Sequence, residues 1–127
     1  MSTWDDVARV CLALPGTQES TTYGARSWKV AGTLFVWERP LRRRDLEELG
    51  DDAPSGPVLG ARVPDEGAEH ALVADEPGVY FTTAHFDGYA AVLTRLDALD
   101  DAALTELAGE AWACQAPKRL LAERGPA

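Results

Sequence analysis

The 127 residues are read as one domain, 1-127, a length at which about two-thirds of the unfolded surface is buried without staples. A hydrophobic content of 46%, with four Trp, three Tyr and three Phe, marks a globular chain and excludes intrinsic disorder. Twelve Lys and Arg against 21 Asp and Glu leave a formal charge of −9, whose field repels phosphate and excludes a general nucleic-acid coat or an anionic-membrane binder. A local basic patch remains compatible with it.

In chain order, Thr3 is placed to cap a first helix in which Trp4, Val7, Val10, Cys11 and Leu14 recur at helical spacing, with Pro15-Gly16 as its stop. The polar stretch Thr17 to Gly24 reads as a loop. Ser27–Val30 and Thr33–Trp37 flank Ala31-Gly32 as a hairpin. Its second strand carries Leu34 and Val36 on one face and Phe35 and Trp37 on the other, so it is expected to be central or covered on both sides.

Asp45–Gly50 predicts a short helix with Asp45 as cap and Gly50 as a left-handed terminator. A loop from Asp51 to Pro57, a strand Val58–Val63 and a helix beginning after Asp65 follow. Val79–Ala84 and Ala91–Leu96 predict two further strands around an Asp87-Gly88 turn. A helix capped by Asp100 or Asp101 and a last helical turn opened by Pro117 close the chain. The pattern predicts an α+β fold in two layers, an antiparallel sheet of about five strands with the N- and C-terminal helices on one face.

Two segments carry candidate chemistry. Arg39, Arg42, Arg43 and Arg44 gather ahead of a helix start, where guanidinium forks can bind a phosphate, a nucleic-acid backbone or a carboxylate. The competing expectation is a solvated loop whose charges pair with Glu47, Glu48, Asp51 and Asp52. The second segment, Thr83, His85, Asp87 and Tyr89, offers a hairpin turn pinned by hydrogen bonds, a ligand-contacting turn, or a metal or acid–base site with His85 and Asp87 on one strand face. Trp4, Trp28, Phe35, Trp37, Tyr80, Phe81 and Trp112 are expected in the core, with some polar tips at a pocket rim. Phosphate-loop, dinucleotide and nucleophile-elbow motifs are absent, and the two cysteines, Cys11 and Cys114, form neither a disulfide framework nor a zinc site. No catalytic residue, metal ligand or cofactor is assigned. Met1–Asp6 lacks the basic and apolar regions of a signal peptide, so a cytoplasmic protein with reduced thiols packed as small hydrophobes is expected. No apolar run spans a membrane.

Leu12-Ala13-Leu14-Pro15-Gly16-Thr17, the Trp28–Val30 and Phe35–Trp37 hairpin, and Phe81-Thr82-Thr83-Ala84-His85-Phe86-Asp87-Gly88-Tyr89 together resemble the MmcQ/YjbR-like family. Ala111-Trp112 and Ala116-Pro117-Lys118-Arg119 extend the likeness along nearly the whole chain. The resemblance implies a compact fold like that of the bacterial frataxin homologue CyaY and a DNA-binding role, with no catalytic residue set. Under that role Arg39, Arg42, Arg43 and Arg44, helped by Lys118 and Arg119, would contact phosphates. The alternative is a small-ligand or protein-interaction domain using the sheet face and the His85–Tyr89 turn, with a small anionic molecule or a protein as partner.

Overall fold

A reciprocal capping box starts the first helix, α1 (Trp4–Leu12). The Thr3 hydroxyl accepts the Asp6 N–H at 3.3 Å, and the Asp6 carboxylate accepts the Thr3 N–H at 2.9 Å. That backbone bond holds the Asp6 carboxyl below its usual range. The computed structural model describes residues 2–22, 24–83, 86 and 89–124. Val7, Val10 and Cys11 form the buried stripe of α1, and Trp4 stacks on Trp28 with ring centroids 6.2 Å apart.

The sheet is antiparallel throughout. Its strands are β1 (Thr17–Thr22), β2 (Ala25–Val30), β3 (Thr33–Glu38), β4 (Val58–Arg62), β5 (Tyr80–Phe81) and β6 (Ala91–Arg95), in the spatial order β1-β2-β3-β4-β6-β5. The remaining helices are α2 (Arg43–Leu49), α3 (Glu66–Asp75), α4 (Asp101–Gln115) and α5 (Lys118–Arg124). The α+β class and the antiparallel sheet are as expected, and among the described residues the sheet has six strands against the expected number of about five. The added strand is β1, which the sequence pattern assigns to a loop. Thr-Gln-Glu-Ser-Thr-Thr lacks an apolar face because an edge strand has little to bury, while its β-branched threonines suit extended backbone. In the opposite direction, among the described residues of the predicted Val79–Ala84 strand, Tyr80 and Phe81 form the ladder with β6, and the Val79 carbonyl accepts the Arg95 N–H at 2.8 Å.

One face of the sheet is packed by helices. Leu104, Leu107, Ala108, Ala111 and Trp112 of α4 join Val7, Val10 and Cys11 of α1 over Trp28, Val30, Leu59, Ala61 and Val92. The Trp112 indole N–H donates to the Pro15 carbonyl at 2.9 Å, tying α4 to the end of the α1 segment. Leu120 of α5 and the partly buried Ala68, Leu72 and Val73 of α3 extend the same core. Val58, Phe81 and Leu93 point the other way, by the two-residue alternation of their strands, and Leu41, Leu49 and Phe86 pack against them. Among the described residues no helix is long and apolar enough to cross a membrane.

The β2–β3 hairpin turns on Ala31 and Gly32, both at positive φ (49° and 82°), as a two-residue turn of the right-twisted kind requires. Beyond it the ladder is irregular. Trp28 pairs with Val36 but Lys29 pairs with Leu34, so Phe35 is an extra residue in β3, a β-bulge. Phe35 and Val36 are therefore both buried in the main core, although they are neighbours in sequence. Leu34 and Trp37 consequently share the second face, where strict alternation places Leu34 with Val36 and Phe35 with Trp37. On that face Trp37 lies opposite Gly60 of β4, and its indole occupies the space a Cβ on Gly60 would need. Gly60→Ala is expected to destabilise the fold by about 1–3 kcal/mol through overpacking, read as a lower urea midpoint at unchanged m-value.

Candidate functional site

The bulge and the strand ends create a cleft of about 730 Å³ on the second face. β2 contributes Ala25, Arg26 and Ser27, β3 contributes Thr33, Leu34, Trp37 and Glu38, and Arg62 ends β4. The segment Arg39-Pro40-Leu41-Arg42 forms one side, and Phe86 with Tyr89 another. Gln115, at the end of α4, completes the lining and donates its amide N–H to the Leu34 carbonyl at 3.1 Å. That carbonyl lies in the part of β3 that runs past its pairing with β4, which spans only Val36 to Glu38 of β3.

The lining is an aromatic cluster with guanidinium groups against it. Trp37 and Phe86 have ring centroids 6.3 Å apart, and Phe86 meets Tyr89 edge-on at 6.4 Å. The Arg39 guanidinium sits 5.4 Å from the Phe86 centroid, and that of Arg62 sits 5.2 Å from Tyr89. Tyr89 is 57% exposed, so this corner of the cleft opens to solvent.

Arg39 is the structural member of the set. Only 8% exposed, it bonds the Asp45 carboxylate at 3.0 Å and also donates to the Pro40 carbonyl. The second partner of Asp45 Oδ2 is the backbone N–H of Arg42, at 2.9 Å. Asp45 therefore does not cap α2 from outside: the helix begins two residues earlier, at Arg43, and Asp45 reaches back from its third position. Gly50 has positive φ (57°), but its ψ of −126° removes it from the left-handed helical well.

The other predicted cations separate. Arg42 is exposed and lines the cleft. Arg43 points to solvent and pairs with Glu47 at 3.2 Å, the neutralised arrangement expected of a solvated loop. Arg44, Lys118 and Arg119 are exposed and do not line the cleft. In the second predicted segment, Tyr89 lines the cleft, whereas Thr83 is 1% exposed and accepts the Phe86 N–H through its carbonyl. His85 and Asp87 lie outside the described residues. Cys11 is buried, and burial pushes its thiol up to about 12, so it is uncharged packing at neutral pH. Cys114 is exposed rather than packed as expected, its thiol raised by partial desolvation against the opposing pull of Arg62.

Sequence reasoning missed Arg26, Arg62 and Gln115, and placed Trp37 in the core. A usable signal was present in Val58–Val63: Gly60 and Arg62 are two residues apart and share a face, which a packed layer of side chains would not tolerate.

This architecture, an antiparallel sheet layered by helices on one face and carrying an aromatic cleft on the other, defines an α+β protein. The family model described as YjbR matches residues 12–114, and the chain belongs to that family. It is 54% identical over 124 residues to the uncharacterised protein Rv2570 of Mycobacterium tuberculosis and equally to the uncharacterised protein Mb2600 of Mycobacterium bovis, covering 95% of this chain and 94% of each relative. Among solved structures, the Deinococcus radiodurans protein DR2400, a DUF419 domain, superposes with a TM-score of 0.69 at 20% identity, covering 100% of this chain and 91% of that one. That likeness establishes the shared fold.

The Arg39–Asp45 pair sets a stability test. Asp45→Ala leaves a buried guanidinium without its counter-charge and is expected to cost about 3–5 kcal/mol by urea denaturation. Arg39→Met combined with Asp45→Leu removes both charges and should cost far less than the sum of the single changes.

Proposed function

We propose that this chain is a small-ligand-binding domain whose site is the cleft on the second face of the sheet, where a planar ring stacks on Trp37. The observation that carries the reading is the partly exposed indole, seated on Gly60 and beside Phe86, in a concavity of about 730 Å³ that Tyr89 also lines. That volume is in the range of small-molecule sites, and an apolar lining with a few convergent polar groups is their usual composition. Ring stacking on an aromatic side chain is worth about 1–3 kcal/mol, enough to contribute substantially to binding. No catalytic step is assigned to the cleft.

A thermal-shift screen of ring-bearing metabolites tests this directly. A ligand at a hundred times its Kd adds about 2.7 kcal/mol to the folded state, so hits should raise the melting temperature. Trp37→Ala should reduce the shift markedly at the same ligand concentration while the protein still unfolds cooperatively. A flat screen of the wild-type chain counts against the reading.

The nucleic-acid role implied by family resemblance draws on six cations, of which Arg39 is committed to Asp45 and Arg43 is paired with Glu47. Arg42, Arg44, Lys118 and Arg119 remain as phosphate contacts, within a field set by the formal charge of −9. Fluorescence anisotropy on duplex DNA separates the two readings. The small-ligand reading expects no saturable binding at low salt. A DNA-binding module would instead saturate and lose about 0.9 log units of affinity per log salt for each phosphate neutralised.

A further inference from the structure

Charge is distributed unevenly around the cleft. Among the described residues four arginines line it, Arg26, Arg39, Arg42 and Arg62, against a single carboxylate, Glu38, in a chain whose formal charge is −9. Two of these guanidiniums already have carboxylate partners. Arg39 is held by Asp45, and Arg26 makes two bonds to Glu19, at 2.9 and 3.0 Å. Glu38 is engaged as well, accepting the Arg26 backbone N–H at 3.0 Å. Arg42 and Arg62 differ: among the described residues neither lies within 4.0 Å of a carboxylate. The Nε of Arg62 is moreover buried and has no hydrogen-bond partner, an orphaned donor beside the Tyr89 ring.

We propose that the cleft selects a ring-bearing anion, an aromatic carboxylate or the phosphate ester of a ring compound, with Arg62 and Arg42 binding the anionic group while the ring stacks on Trp37. The inference rests on the cleft being the binding site and adds the ligand's charge to it. The Arg62 guanidinium lines the cleft without a carboxylate beside it in a partly desolvated wall, and an incoming carboxylate or phosphate supplies the missing counter-charge. The surrounding carboxylates repel an anion from most of the surface, so the two uncompensated guanidiniums give the cleft selectivity of place as well as of charge.

Two matched pairs of probes, each differing in its anionic group, test this by calorimetric titration at about 50 mM salt, where screening is moderate. They are naphthoate against naphthamide, and adenosine monophosphate against adenosine. The anionic member of at least one pair should bind about tenfold or more tightly than its neutral partner. A preference confined to the first pair identifies a carboxylate ligand, and one confined to the second a phosphate ester. Arg62→Gln should collapse the anionic-to-neutral affinity ratio, and Arg42→Gln, at an exposed position, provides the same test should the first variant fail to fold. Arg44→Gln, outside the cleft, should leave the ratio unchanged. Neutral members that bind as well as their anionic partners overturn this inference and leave the cleft reading standing, as does a ratio unmoved in both cleft variants. If none of the four probes binds, this inference falls, and the thermal-shift screen decides separately whether the cleft binds any ring.

Discussion

The ion pair between Arg39 and Asp45 decides how the second face of the sheet is covered. Arg39 still belongs to the β3–β4 ladder through its backbone, donating its N–H to the Val58 carbonyl at 2.9 Å. Its side chain then fixes Asp45 three residues into α2, and the same carboxylate oxygen holds the Arg42 N–H at the helix start. The turn from strand to helix is thus closed around one buried charge pair. Desolvating both groups is expensive, and the Arg42 N–H that Asp45 accepts, with the Pro40 carbonyl that Arg39 donates to, is what makes the arrangement tolerable. From this anchor Leu41 and Leu49 reach Val58, Phe81 and Leu93, covering the β4-β6-β5 side and leaving the β2–β3 side open.

The same pair explains why a run of arginines does not make a basic patch. Neighbours in sequence are distributed by the local geometry: Arg39 inward, Arg42 along the cleft and Arg43 outward to Glu47 one helical turn on. Charge density in sequence became charge separation in space. Among the described residues, the cation that joins Arg42 in the lining without a carboxylate is Arg62, twenty residues further on, from a strand that carries no cluster at all.

Most of the architecture was readable from local signals. Thr3 and Asp100 as helix caps, the Ala31-Gly32 turn and the apolar spacing of α1 all acted as their chemistry predicts. What failed were features decided by partners rather than by the segment itself. β1 exists because β2 offers it a complete ladder, and nothing in its own polar residues announces that. Trp37 looked like core because large aromatics usually are, yet the absence of a side chain at Gly60 gives it a seat outside. The family resemblance correctly indicated membership of the family, while the cleft emerged only from the assembled strands.

The inserted residue at Phe35 has a consequence for how the hairpin can vary. Because inside and outside are assigned by counting along β3, deleting one residue between the turn and Trp37 would do more than shorten the ribbon. Strict parity would return, and either a greasy group would be thrust into water or the indole would be drawn under the helices. The concavity is therefore encoded as an odd number: any descendant of this hairpin that keeps the hollow must also keep the miscount.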